Sequence, residues 1–158
     1  MKTLVILRHA EFDGRELTPN GKLLLSRLIE RVRTEWNPAY SLAILSAPSP
    51  RVQETAGMIA RQLNAPPALV VKDLDGEGFK FPSSEQWERI VATVTAQEAG
   101  VAIAVMHREE TETMVHKIAP TLGMQDRISG TYIPKLGHND ALVLDTETKA
   151  VRHVWVEH

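Results

Sequence analysis

Thr3-Leu4-Val5-Ile6-Leu7-Arg8-His9-Ala10 is the stretch on which the fold turns. Five apolar or β-branched residues run straight into a cation and an imidazole. A continuous run of this kind, rich in Val and Ile, reads as a strand buried on both faces of a parallel sheet. Its buried length has no place for an arginine or a histidine, because each would lose its water without a partner. Arg8 and His9 are therefore expected at or just beyond the carboxyl end of the strand. In open α/β sheets, ligands bind at that edge. The competing reading of this stretch alone is an exposed Arg-His pair where a strand leaves the sheet.

Outward from that strand, the chain alternates. Leu42-Ala43-Ile44-Leu45-Ser46, residues 68–71 and Val101-Ala102-Ile103-Ala104-Val105-Met106 read as further strands. Residues 141–144 and 151–156 read as two closing strands joined by a polar turn. Thr18-Pro19 and Ser49-Pro50 are matching helix starts, each a hydroxyl N-cap followed by proline at the first helical position. Leu24, Leu25, Leu28, Ile29, Val32 and Trp36 recur at three- and four-residue spacings and give the first helix its inner face. Val52, Ala56, Ile59, Ala60 and Leu63 do the same for the second. Ser83 to Gln86 reads as a capping box opening a third helix through about residue 97. A fourth helix is expected over residues 109–122, followed by a loop. Strands and helices alternating at these lengths imply βαβ units. The expected architecture is one domain, residues 1–158, of three layers (α/β/α) around a mostly parallel central sheet.

The net charge of −2 argues against a general binder of nucleic acid or anionic membrane, so any anion site must be a local cluster of cations. The absence of cysteine removes disulfides, thiolate catalysis and Cys-based zinc sites, and it suits a reducing compartment. The first residues carry one Lys and then a run that meets charge too soon for a signal peptide. No apolar run approaches the roughly 20 residues that span a bilayer. A cytoplasmic protein with neither nucleic-acid nor membrane partners is the expectation.

Three strand ends carry polar residues of useful type: Arg8-His9, Ser46 with Arg51 just beyond, and His107. Arg51 falls in the first turn of a helix, where the macrodipole favours an acid, so a ligand role explains it better than local structure does. If the strands are neighbours, two histidines and two arginines converge on one pocket. Its natural occupant is a phosphoryl group, whose oxygens match arginine forks and helix N–H donors. Neutral imidazole is a competent nucleophile toward phosphorus. At its ordinary pKa, about three-quarters of a free histidine is already neutral at pH 7. One ring nitrogen must be pinned so that the other directs its lone pair at phosphorus. The arginines then neutralise the equatorial oxygens. This chemistry needs neither metal nor cofactor, and no metal-ligand motif stands out. Ser46 is placed either in the pocket or as a turn cap. His138, in Gly137-His138-Asn139-Asp140, is placed either at the pocket or in a plain turn. His116, His153 and His158 read as surface or packing residues.

These motifs resemble those of the histidine phosphatase superfamily, the phosphoglycerate mutase-like fold. Leu7-Arg8-His9-Ala10 is similar to its Arg-His-Gly signature. Leu17-Thr18-Pro19-Asn20-Gly21 is similar to its helix-start motif, and the segment from Ser46 to Ala56 to its second arginine motif. The strand ending at His107 is similar to its second histidine motif, and all four occur in family order. The resemblance implies that His9 is the phosphorylated nucleophile and that Arg8, Arg51 and His107 form the phosphate pocket. It also implies a proton donor: Asp73 aligns loosely with the family's donor motif, and Glu77 in the same glycine-rich loop is its rival. Two departures stand out. Ala10 replaces the usual glycine, which is tolerable where positive φ is not required. His107 is followed by Arg108-Glu109-Glu110 instead of glycine, and these acids are expected to turn away or to screen part of the entrance. The short interval from His9 to Thr18 resembles the compact branch that includes the phosphohistidine phosphatases. A phosphatase acting on a phosphorylated small molecule or phosphoprotein is implied; the alternative is a phosphate-binding module on the same fold without turnover.

Overall fold

The structure, a computed structural model, describes residues 1–74 and 81–157. Among the described residues, six strands and five α-helices follow in the order β1 (Thr3–Arg8), α1 (Pro19–Val32), β2 (Leu42–Ser46), α2 (Pro50–Leu63), β3 (Leu69–Val70), α3 (Ser84–Thr95), β4 (Val101–Met106), α4 (Arg108–Ile118), α5 (Gln125–Ser129), β5 (Asp140–Asp145) and β6 (Val151–Trp155). The strands form one sheet in the order β3-β2-β4-β1-β5-β6. Pairings among β3, β2, β4 and β1 are parallel, while β5 is antiparallel to both β1 and β6. α1 packs with α2 and α3 with α4, giving the outer layers of the α/β/α arrangement.

The apolar runs sit where their composition demands. All six residues of β4 are fully buried between β2 and β1, and Leu4 to Leu7 of β1 are nearly so. Strands covered on both faces need no polar alternation. Pairing brings Arg8 level with Met106, and Ser46 level with Val105. The amide of His9 continues the ladder by donating to the Met106 carbonyl at 3.0 Å, and Ala47 does the same to Val105 at 3.1 Å. The carboxyl ends of β1, β2 and β4 therefore stop together. Because β5 runs the other way, it is the approach to β5 that lies at this edge, and His138 is in it.

The helix starts are built largely as their residues dictate. The Thr18 hydroxyl accepts from the Gly21 amide at 2.9 Å with Pro19 in the first turn. Gly21 is required for a second reason: a Cβ there would lie 2.5 Å from the Glu11 carbonyl oxygen, which also receives the Thr18 amide. Ser83 and Gln86 form the full reciprocal capping box. Ser49 differs. It occupies the N-cap of α2 but makes no side-chain cap bond. Helix ends depart most from the pattern. α1 stops at Val32 and one 3-10 turn, Arg33–Glu35, takes its place. α4 ends at Ile118, and the following loop contains α5. Five residues are too few for a periodic signal, and Ile128 is its buried anchor. Among the described residues, no helix is long and apolar enough to cross a membrane.

Candidate active site

Arg8, His9, Arg51, His107 and His138 line one cavity of about 470 Å³ at the carboxyl edge of the parallel strands. Ser46 does not reach it: this buried hydroxyl donates to the Ala47 carbonyl at 2.7 Å, and its residue faces a different hollow between β2 and α2. Asp73 is elsewhere too, held by Arg89 through two hydrogen bonds of 2.9 and 3.1 Å. That guanidinium keeps the Asp73 carboxyl below its ordinary pKa, so it stays ionised. Glu77 lies outside the described residues.

His9 is 7% exposed. Its Nδ1 lies 2.8 Å from the Ala10 carbonyl oxygen. A carbonyl only accepts, so Nδ1 carries the proton and Nε2 carries the lone pair. Burial is the main reason that its pKa falls to about 4, with Arg8 and Arg51 adding to the effect. The ring is neutral at neutral pH. Ala10 keeps a negative φ, so replacing glycine costs no strain here. Its amide donates to the Thr55 hydroxyl at 3.0 Å, and that hydroxyl donates to the Arg51 carbonyl at 2.8 Å. One buried threonine thereby fixes the His9 turn to the start of α2. Glu54, beside it, accepts from the Leu17 amide at 3.2 Å and holds the loop that leads into α1.

His107 is 5% exposed and sits at the head of α4, its ring edge-on to His9 with centroids 5.6 Å apart. Arg51 Nη2 lies 3.5 Å from its Nδ1, and Ser49 Oγ 3.2 Å from its Nε2. Ser49 thus serves the histidine instead of the helix. Sequence reading assigned it a cap because Ser-Pro is a common helix start, and that pattern carries no trace of a tertiary partner. His138 approaches from the opposite side, with ring centroids 5.3 Å from His9.

Among the described residues, Phe12, Phe81, Arg108, Glu109 and Glu110 also line the cavity. Glu110 neither turns away nor stands as a screen at the entrance, which corrects both alternatives expected for this acid. It is 3% exposed and inside the cavity wall. As the third residue of α4, its side chain folds back toward the helix start, which is the usual direction at this position and the signal that could have revealed it. Burial raises its pKa to about 7.

Among the described residues, three buried side-chain polar atoms have no hydrogen-bond partner in the protein: Arg8 Nε, Arg51 Nε and Glu110 Oε2. All three residues line this one cavity. Buried donors without acceptors are costly, at about 1–3 kcal/mol each and more when charged. An oxyanion placed between the two arginines satisfies both, so the arrangement fits a phosphoryl-sized ligand.

No protein-family model matches the chain, and no curated protein matches it. Solved structures do. A protein histidine phosphatase, SixA, complexed with tungstate superposes with a TM-score of 0.67 and 17% identity, over 97% of this chain and 94% of that one. A phosphoglycerate mutase from Plasmodium falciparum gives 0.59 and 18%, over 99% and 89%. A mycobacterial glucosyl-3-phosphoglycerate phosphatase gives 0.56 and 16%, over 98% of each chain. The chain has their fold, the phosphoglycerate mutase-like fold of the histidine phosphatases.

Proposed function

We propose that the protein is a phosphatase that passes the phosphoryl group through Nε2 of His9, with a phosphomonoester or a protein phosphohistidine as substrate. The observation that carries this reading is the coincidence of a neutral, tautomer-fixed histidine with two buried, unpartnered arginine donors in one cavity. Arg8 and Arg51 hold the phosphoryl oxygens. Nε2 attacks phosphorus and forms a covalent N–P bond as the leaving oxygen departs. Water then attacks phosphorus from the opposite side and restores neutral His9. Arg8, Arg51 and His107 surround the transferring group, where negative charge is spread over three oxygens. The arginines supply charge compensation, so the step needs no metal. The solved phosphatases of this fold support the reading.

The test is hydrolysis of 4-nitrophenyl phosphate in excess chelator. Wild type is expected to turn over, and His9→Ala to lose at least about 10³-fold in kcat/KM. Arg51→Ala should lose about 10²-fold or more. Wild type performing no better than His9→Ala across a panel of aryl, alkyl and phosphoramidate substrates overturns the reading and leaves a binding module.

A further inference from the structure

We propose that Glu110 is the proton carrier of this site, giving a proton to the leaving group and then taking one from the attacking water. The inference rests on the phosphatase reading above. Glu110 follows His107 by one helical turn and lines the same cavity as His9, Arg8 and Arg51. Its side chain is almost wholly buried, yet Oε2 has no partner in the protein. Of the two acids that the resemblance offered, Asp73 is tied to Arg89 outside the cavity and stays ionised, so it has no proton to give, and Glu77 lies outside the described residues. Glu109 shares the lining but is exposed.

The electrostatics agree with that position. Burial is the largest influence on Glu110 and favours the protonated acid, and the neighbouring Glu109 adds to it. The amides of Glu110 and His107 act against burial, as does Arg51. Among the described residues, the remaining charged or titratable side chains on the cavity wall are Arg8, His9, His107, Arg108 and His138. A carboxyl poised near neutrality is the form suited to giving and retaking a proton.

The steps balance. In the first, the phosphorus–oxygen bond to the leaving group breaks, the Nε2–phosphorus bond forms, and the Glu110 proton passes to the departing oxygen. In the second, the Glu110 carboxylate takes a proton from water, that oxygen bonds to phosphorus, and the Nε2–phosphorus bond breaks. Inorganic phosphate leaves, and His9 and Glu110 return to their starting forms.

The ordinary alternative is that Glu110 only caps α4 through the His107 amide. Glutamine can make that cap but cannot carry the proton, so Glu110→Gln separates the two roles. Wild type and Glu110→Gln are compared on 4-nitrophenyl phosphate and on ethyl phosphate across pH 4 to 9, with acid-labile phosphate on His9 measured in parallel. For Glu110→Gln, kcat/KM for ethyl phosphate should drop about 10²-fold or more, against less than about tenfold for the nitrophenyl ester, whose leaving group needs no proton. The fall in wild-type activity above about pH 7 should vanish, and phosphorylated His9 should accumulate. Equal losses on both substrates, or an unchanged pH profile, overturn the assignment while leaving the phosphatase reading intact. Absence of any His9-dependent hydrolysis in wild type overturns both. If Glu110→Gln does not fold, Glu110→Asp decides. It should keep the fall above neutral pH and lose rate selectively on ethyl phosphate, and a wild-type rate on that ester contradicts the proposal.

Discussion

The Nδ1–H of His138 donates to the main-chain carbonyl of His9 at 2.8 Å, joining the approach to β5 to the end of β1. Each of the two histidines therefore has its Nδ1 proton on a main-chain oxygen, and their rings face the same cavity. Burial lowers the pKa of His138 as well, so a second neutral imidazole flanks the first. Substituting His138→Ala leaves the His9 carbonyl without this donor and loosens the turn that aims Nε2. A loss of about tenfold in kcat/KM is expected, equivalent to about 1.4 kcal/mol. Steady-state kinetics on 4-nitrophenyl phosphate checks it, and a wild-type rate would show that the turn holds without His138.

Two buried groups give the stability opposite slopes with pH. His9 titrates near 4 when folded and near 6.5 when unfolded, so the unfolded chain binds more protons between those values. Its contribution is complete above about pH 6.5 and is lost as pH falls through 4. Glu110 titrates near 7 when folded and 4.5 when unfolded, so the folded chain binds more protons there. Its contribution is complete below 4.5 and is lost as pH rises through 7. Subtracting wild type from Glu110→Gln isolates the second effect. The relative stability of the variant should grow by as much as about 3 kcal/mol between pH 4.5 and 7 and then level off. Urea unfolding at several pH values measures it, and a flat difference would contradict a buried acid. Nitrogen NMR shifts of His9 should report an unprotonated Nε2 down to about pH 5.

Ser49 and His107 should behave as a unit. Each single alanine substitution removes the 3.2 Å contact, so the losses in kcat/KM should be less than additive in the double variant. The coupling expected in such a cycle is about 0.5–3 kcal/mol. If Ser49 were only a cap, Ser49→Ala would lower stability by about 1 kcal/mol and couple to nothing.

Asp73→Asn should leave kcat/KM within about twofold. It removes a partly exposed ion pair with Arg89 and should cost stability less than about 1 kcal/mol. A large, leaving-group-dependent loss in this variant would return the proton to the loop after β3.

Much of this was legible in the chain. Apolar runs ending in Arg8-His9 and His107 read as buried strands with their polar residues at or beyond the carboxyl end, and the sheet order makes those strands neighbours. Arg51 announced itself by standing where the helix dipole opposes it. What stayed hidden depends on partners far away in sequence. Ser46 and Ser49 are both hydroxyls near the end of β2, and nothing local tells which one meets His107. Asp73 fits an alignment, but Arg89, 16 residues on, decides its charge. Glu110 reads as an acid that a phosphate would repel, turned away or screening the entrance, until it is seen in the wall of the same cavity as Arg8 and Arg51. The short α5 left no periodicity to read.

The reversal of β5 has a kinetic consequence. β1, β2, β3 and β4 form a parallel group whose every pairing closes a long loop, which is slow to assemble. His138 reaches the site only when β5 pairs with the edge of β1 that the parallel group leaves free. A folding intermediate holding the four parallel strands would thus bring Arg8, His9, Arg51 and His107 together while the His9 carbonyl still lacked its donor. Docking of the last hairpin would then supply the missing donor to the His9 carbonyl, and full recovery of any His9-dependent activity should lag behind recovery of sheet structure during refolding.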